Sequence, residues 1–149
     1  MLINKNLIVL DLDAKCKTEV IKKMIDLAYK EDRIISKENF LKCVLEREEE
    51  ISTGVGNGIA IPHGKSETVK EALIVFAKLK NGIDWESMDS ERVNLIFLLG
   101  VPEKNKENLH LKILAQLSRK LMDEDFVKLL RSAATEEEVY YILRSIEVA

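Results

Sequence analysis

Apolar residues recur along this chain with two periods, one suited to strands and one to helices. Leu7-Ile8-Val9-Leu10, with Leu12 just beyond, is a compact apolar run that predicts a first strand. Val20, Ile21, Met24, Ile25 and Ala28 then recur at spacings of three and four, predicting a helix capped by Thr18 and running to about Tyr29. Ser36 is the next cap signal. Behind it Phe40, Leu41, Val44 and Leu45 mark a second helix, which carries Arg47 and the acidic Glu46, Glu48, Glu49 and Glu50. Ile59-Ala60-Ile61 reads as a short buried strand. Leu73 to Ala77 and Val93 to Leu99 are apolar, rich in branched and aromatic residues, and read as buried strands, with Asn81-Gly82 as a turn signal between them. Gly100 and Pro102 are expected to stop the second run and open a loop.

Asn105 or Asn108 is placed to cap a further helix with an apolar stripe of Leu109, Ile113, Leu114, Leu117 and Leu121. His110 precedes Ile113, Leu114, Leu117 and Leu121 by three, four, seven and eleven residues, which sets it on or beside the inward face. A shorter helix from Phe126 to Arg131 follows. Thr135-Glu136-Glu137-Glu138 is then a capping box ahead of Val139, Ile142, Leu143 and Ile146. A strand, two helices, several strands and more helices, in that order, predict an α/β fold in which helices cover the faces of a sheet. Because the strands cluster in the middle of the chain, a mixed sheet is expected in preference to a doubly wound dinucleotide fold. With no repeat, linker or low-complexity tract, residues 1–149 are expected to form one domain.

Composition narrows the function classes. Hydrophobic residues make up 46% of the 149, enough for a sizeable core. Lys and Arg total 23 against 26 Asp and Glu, for a formal charge of -3 spread along the chain, which disfavours nucleic-acid binding. Cys16 and Cys43 form no Cys-x-x-Cys pair and are expected to be reduced, buried small hydrophobes. No segment approaches the roughly 20 apolar residues that span a bilayer. The N-terminus also lacks the pattern of a signal peptide, so a cytoplasmic protein without membrane insertion is expected.

The densest chemistry lies in Ser52-Thr53-Gly54-Val55-Gly56-Asn57-Gly58-Ile59-Ala60-Ile61-Pro62-His63-Gly64, where four glycines and a proline surround one of only two histidines. A neutral imidazole is a nitrogen nucleophile able to accept a phosphoryl group. Such a site needs donors for the phosphoryl oxygens, a nearby cation and a device that holds one tautomer. Arg47 is the candidate cation. Thr53 and the amides from Gly54 to Gly58 and from His63 to Lys65 are the candidate donors. His110 offers a second imidazole. Glu67 would lie within one turn of His63 if a helix began at Gly64. Each has a plainer counterpart: packed core histidines, a solvated helix arginine, an exposed loop lysine. The glycines fit neither Gly-x-Gly-x-x-Gly nor Gly-x-x-x-x-Gly-Lys-Ser/Thr, which weakens a nucleotide-binding reading. No third ligand stands at metal-site spacing from the histidines, so no metal and no cofactor is expected.

Glu46-Arg47-Glu48, the stretch from Ser52 to Ser66, and Asn108-Leu109-His110-Leu111 with its leucine-rich helix together resemble the fructose/mannitol-type (type 2) enzyme IIA domain of the bacterial phosphoenolpyruvate-dependent sugar phosphotransferase system. The resemblance spans essentially the whole chain, and Pro62-His63-Gly64-Lys65-Ser66 looks closest to the fructose branch. It implies a three-layer α/β/α sandwich with a mixed central sheet. It also implies that His63 accepts phosphoryl from the phosphocarrier protein HPr and passes it to a cysteine of the IIB component, which with membrane IIC serves the sugar. By the same match His110 is the second active-site histidine, Arg47 stabilises the phosphoryl group and Glu67 is the acidic residue after the nucleophile. Thr53, Gly64 and Lys65, as the donors named above, are the expected phosphate-binding residues. Neither cysteine is expected to carry phosphoryl. A regulatory nitrogen-type IIA protein, acting by phosphorylation-dependent binding, is the alternative. An interaction module that has lost transfer is a third reading.

Overall fold

Asn4 accepts a hydrogen bond from the Asn6 amide at 2.8 Å and so sets a single 3-10 turn, Lys5–Leu7, that delivers the chain into β1 (Ile8–Leu12). The computed structural model describes residues 2–104 and 108–146. From β1 the chain forms α1 (Lys17–Lys30) and α2 (Lys37–Glu50), then three short strands, β2 (Gly54–Gly56), β3 (Ile59–Ala60) and β4 (His63–Ser66). Two long strands follow, β5 (Leu73–Ile83) and β6 (Val93–Pro102), and then α3 (Leu109–Leu121), α4 (Glu124–Ser132) and α5 (Glu136–Leu143).

Among the described residues the strands form one six-stranded sheet in the order β1-β5-β6-β3-β2, with β4 also on β6. β1 lies parallel to β5, β5 antiparallel to β6, β3 and β4 parallel to β6, and β2 antiparallel to β3. The sheet is therefore mixed, as the clustering of strand signals predicted. α1 packs against β5, α2 against β4, α3 against β6 and α5 against β1, giving an α/β sandwich. Phe76 and Phe97 meet at 5.0 Å between ring centroids in the middle of the β5–β6 ladder. Both strands are apolar on both faces because helices cover both.

Ser36 caps α2 by accepting from the Asn39 amide at 3.1 Å. Thr135 caps α5 by accepting from Glu138 N–H at 3.2 Å, while the Glu138 carboxylate accepts from the Ala134 amide, one residue before the expected partner. Other expectations need correction. Cys16, not Thr18, stands at the N-cap of α1, without a side-chain bond, and Thr18 lies within the first turn. Asn81-Gly82 does not turn the chain. The β5–β6 ladder shifts register between Lys78 and Ile83, and the pair is absorbed there while residues 84–92 make the connection. Gly100 does not stop β6, because β4 pairs alongside it as far as Ser66 opposite Pro102. Asn108 holds the N-cap of α3 in the left-handed region (φ 53°) without a side-chain bond, and Asn105 lies outside the described residues. Cys16 is exposed and Cys43 only half-buried; both are free thiols.

Gly64 and Gly100 sit opposite one another in the β4–β6 ladder. A Cβ on Gly64 would stand 3.1 Å from Phe40 Cε1 and 3.0 Å from Cys43 Sγ, and one on Gly100 would stand 3.0 Å from Phe40 Cζ. Paired glycines therefore let α2 approach the sheet, which carries its last turn close to the strand that begins at His63.

Candidate phosphoryl-transfer site

Pro62 interrupts what would otherwise be one strand. It cannot donate to a ladder, yet its carbonyl accepts the Leu99 amide at 3.0 Å, so β3 and β4 continue along β6 on either side of it. Side chains alternate along β4. Gly64 faces α2, so His63 projects toward the opposite face, at the point where β2 no longer covers the edge.

The His63 ring is held by its own backbone. Nδ1 lies 2.9 Å from the carbonyl oxygen of Ile61. A carbonyl can only accept, so Nδ1 carries the proton and Nε2 keeps its lone pair. Burial lowers the His63 pKa from its ordinary value, against the upward pull of the Ile61 bond. Arg47 and, more weakly, His110 lower it further, while the Glu48 carboxylate raises it. The net direction is down, leaving the ring unprotonated and nucleophilic at neutral pH.

The expected partners fall into three sets. Arg47 and His110 lie close enough to His63 to lower its pKa. Arg47 is half-buried in the last turn of α2, its Nη1 donating to the Ile51 carbonyl at 2.9 Å. His110, in the first turn of α3, has a buried Nδ1 with no hydrogen-bond partner, and its pKa is lowered by desolvation and then by the nearby Lys65 charge. Lys65 is exposed on β4, its side chain alternating to the same face as His63. Gly64 serves the packing of α2 described above.

Thr53 and Glu67 differ from expectation. Both donors of Thr53 turn inward: its amide donates to Glu48 Oε2 at 2.9 Å and its hydroxyl donates to Glu48 Oε1. Thr53 thus keeps no free donor for a phosphoryl oxygen. Glu67 follows a strand and not a helix, and four extended residues carry it about 13 Å along the chain. It is exposed beside Asn39, Lys42 and Cys43 of α2.

Glu48 escaped the sequence reading, which counted it among the acidic residues of α2 and gave it no role of its own. It is only 6% exposed. Phe40, Val44 and Glu48 stand four residues apart, and all three are buried on α2. That period was the signal available in the sequence.

A depression of about 880 Å³ opens on the Arg47 side, walled by Lys17, Ser52, Val55, Glu86 and Met88 among others; His63 and His110 are not among its walls. Around the 51–61 segment several large apolar side chains are exposed: Ile51, Val55, Met88 and Met122 are each at least 60% exposed. Among the described residues no group of three or more His, Cys, Asp or Glu is arranged to hold a metal, and no helix is long and apolar enough to cross a membrane.

Residues 1–146 match the family described as "Phosphoenolpyruvate-dependent sugar phosphotransferase system, EIIA 2", and the chain belongs to that family. It is 38% identical over 140 residues to the PTS system fructose-specific EIIA component of Haloferax volcanii, covering 94% of this chain and 90% of that one. It is 35% identical over 142 residues to the fructose-specific EIIABC component of Bacillus subtilis; that match takes in 95% of this chain but only 22% of the longer relative. Among solved structures, nitrogen regulatory protein IIA-Ntr from Neisseria meningitidis superposes with a TM-score of 0.88 at 32% identity, covering 95% of this chain and 96% of that one. IIA mannitol in its complex with phosphorylated IIB mannitol from Escherichia coli shares the fold, with a TM-score of 0.81 at 21% identity over 96% and 97% of the two chains. The family assignment makes this chain a phosphoryl-carrying component of a phosphotransferase system.

Proposed function

We propose that this chain is the phosphohistidine relay of a fructose-type sugar phosphotransferase system, with His63 Nε2 as the atom that carries the phosphoryl group. The observation that carries the reading is the 2.9 Å contact from His63 Nδ1 to the Ile61 carbonyl, which leaves Nε2 as the nucleophile. The Nε2 lone pair attacks phosphorus on the phosphohistidine of HPr, and the P–N bond of the donor breaks with its electron pair returning to the donor imidazole. A IIB cysteine thiolate then attacks the same phosphorus, and the P–Nε2 bond breaks. Arg47 would swing from the Ile51 carbonyl to the phosphoryl oxygens, and His110, whose buried Nδ1 has no hydrogen-bond partner, is the second imidazole near the transferring group.

Protein donors and acceptors suit the exposed apolar residues Ile51, Val55, Met88 and Met122, which offer area for docking. The IIB partner is supported by the related fold seen bound to phosphorylated IIB mannitol, and membrane IIC would act through IIB. A cytoplasmic location follows from such partners. The test is incubation with phosphoenolpyruvate, enzyme I and HPr, then with purified IIB. Acid-labile, alkali-stable phosphate is expected on the protein, absent from His63→Ala and discharged by a fructose-type IIB. Its absence from the wild type, or its persistence in His63→Ala, overturns the relay.

A nitrogen-type regulatory role is the second reading, supported by the likeness to IIA-Ntr. It predicts phosphorylation of His63 by HPr with no discharge to any sugar-specific IIB.

A further inference from the structure

We propose that Glu48 is a positioning residue for phosphoryl uptake, its buried carboxylate holding the segment from Ile51 to His63 in the geometry that aims Nε2 outward. The inference rests on the relay reading above and adds a residue to it.

An unpaired carboxylate among Phe40 and Val44 would be costly, because burial removes its hydration. Here its lone pairs are engaged. Thr53 donates both its amide and its hydroxyl, and Lys17 at the start of α1 stands 3.4 Å from Oε2. The Thr53 oxygen in turn accepts from Trp85 Nε1 at 3.2 Å, and Trp85 is fully buried in the β5–β6 connection. The Thr53 carbonyl accepts the Ile61 amide at 3.0 Å, and the Ile61 carbonyl accepts from His63 Nδ1 at 2.9 Å. A continuous hydrogen-bonded path thus leads from the carboxylate to the proton that fixes the tautomer. Core packing alone would be met by a leucine at position 48; alignment of an imidazole would not.

The same carboxylate has an electrostatic effect. The charged and titratable groups acting on His63 are Arg47 and Glu48 on α2 and His110 on α3, with Lys65 of β4 acting on His110. Those facing Glu48 are Lys17 and, through Lys17 at 3.6 Å, Glu86. Glu48 opposes Arg47 and holds the basicity of His63 up.

Histidine ¹⁵N NMR on Glu48→Gln, beside uptake kinetics from phospho-HPr, tests the role. The two Thr53 donors reach different oxygens of Glu48, and Gln puts an NH2 in place of one of them, so one donor loses its acceptor there. The expected results are a downward shift in the His63 titration midpoint, a mixture of tautomers in place of Nδ1–H alone, and a kcat for uptake lower by roughly ten- to a hundredfold with KM for HPr unchanged. Thr53→Val keeps the charge and removes the hydroxyl link, so it is expected to mix tautomers and slow uptake with a smaller midpoint shift. A folded Glu48→Gln protein with unaltered tautomer, midpoint and kcat overturns the proposal. If that variant does not fold, Glu48→Asp, which keeps the charge but draws the carboxylate back from the Thr53 amide as well as from its hydroxyl, takes its place, and an unaltered tautomer and kcat there overturn the proposal. A wild type that takes up no phosphoryl group overturns the relay reading alone, because tautomer and midpoint still decide whether Glu48 positions His63.

Discussion

The β5–β6 ribbon and the edge made by β2, β3 and β4 belong to one sheet but are held by different forces. The ribbon is long and apolar, its two strands register from Leu73 opposite Gly100 to Lys78 opposite Leu95, and helices bury both faces. The edge strands have three, two and four residues, and side-chain bonds from Glu48, Ser52, Thr53 and Asp89 supply what their length cannot. Hydrophobic burial is strong but non-directional. It can make a sheet stable without orienting an imidazole, whereas the hydrogen bonds of the edge are directional and fix one tautomer.

If that division holds, substitutions should separate stability from transfer. The largest separation is expected from His63→Ala, which should abolish phosphate incorporation while urea denaturation stays within about 0.5 kcal/mol of the wild type. Phe97→Ala should do the reverse, costing about 3–5 kcal/mol in the same denaturation while the folded fraction still accepts phosphoryl. Gly64→Ala probes the seam between the regions. Its Cβ would press on Phe40 and Cys43, so a loss of about 1–3 kcal/mol together with slower uptake is expected; slower uptake without destabilisation would place the seam wholly in the edge. His110→Ala should leave denaturation nearly unchanged and slow transfer in both directions, and unchanged rates would return His110 to a packing role.

The smallest effect is on pH dependence. Both histidines have pKa values below the ordinary value of about 6.5, so between the folded and unfolded values the unfolded chain binds more protons. Their contribution to stability is complete above about pH 6.5 and is lost as pH falls through the folded values. Replacing both by Gln should flatten the decline in urea midpoint below pH 6.5. For the same reason, uptake by the wild type should persist below the pH at which an ordinary histidine is half protonated.

The ribbon and the helices were largely legible in the sequence because their signals are local and periodic: Phe40 and Val44 four apart, Ser36 and Thr135 at caps, the branched run from Leu73. His63, Arg47 and His110 were legible as a set through residue type and motif. What could not be read was long-range. Gly100 looked like a stop signal because nothing local announces that Phe40, sixty positions earlier, packs over it. Asn81-Gly82 carries turn chemistry, but pairing to β6 absorbed it as an irregularity. Thr53 read as a donor for a phosphoryl oxygen until Glu48 claimed both its donors, and Glu67 was tied to His63 by a helical turn that the parallel pairing of β4 with β6 excludes. A count in steps of four along α2 would have exposed Glu48; no local count would have exposed Lys17 or Trp85 as its companions.

The acceptor for the His63 proton is a peptide oxygen, and every amino acid supplies one. Position 61 can therefore drift among apolar residues over evolutionary time without moving that proton, so the relay's protonation state is buffered against side-chain replacement there. An insertion or deletion between Ile61 and His63 has no such buffer, since a single residue of slippage would send the imidazole to the other face of the sheet.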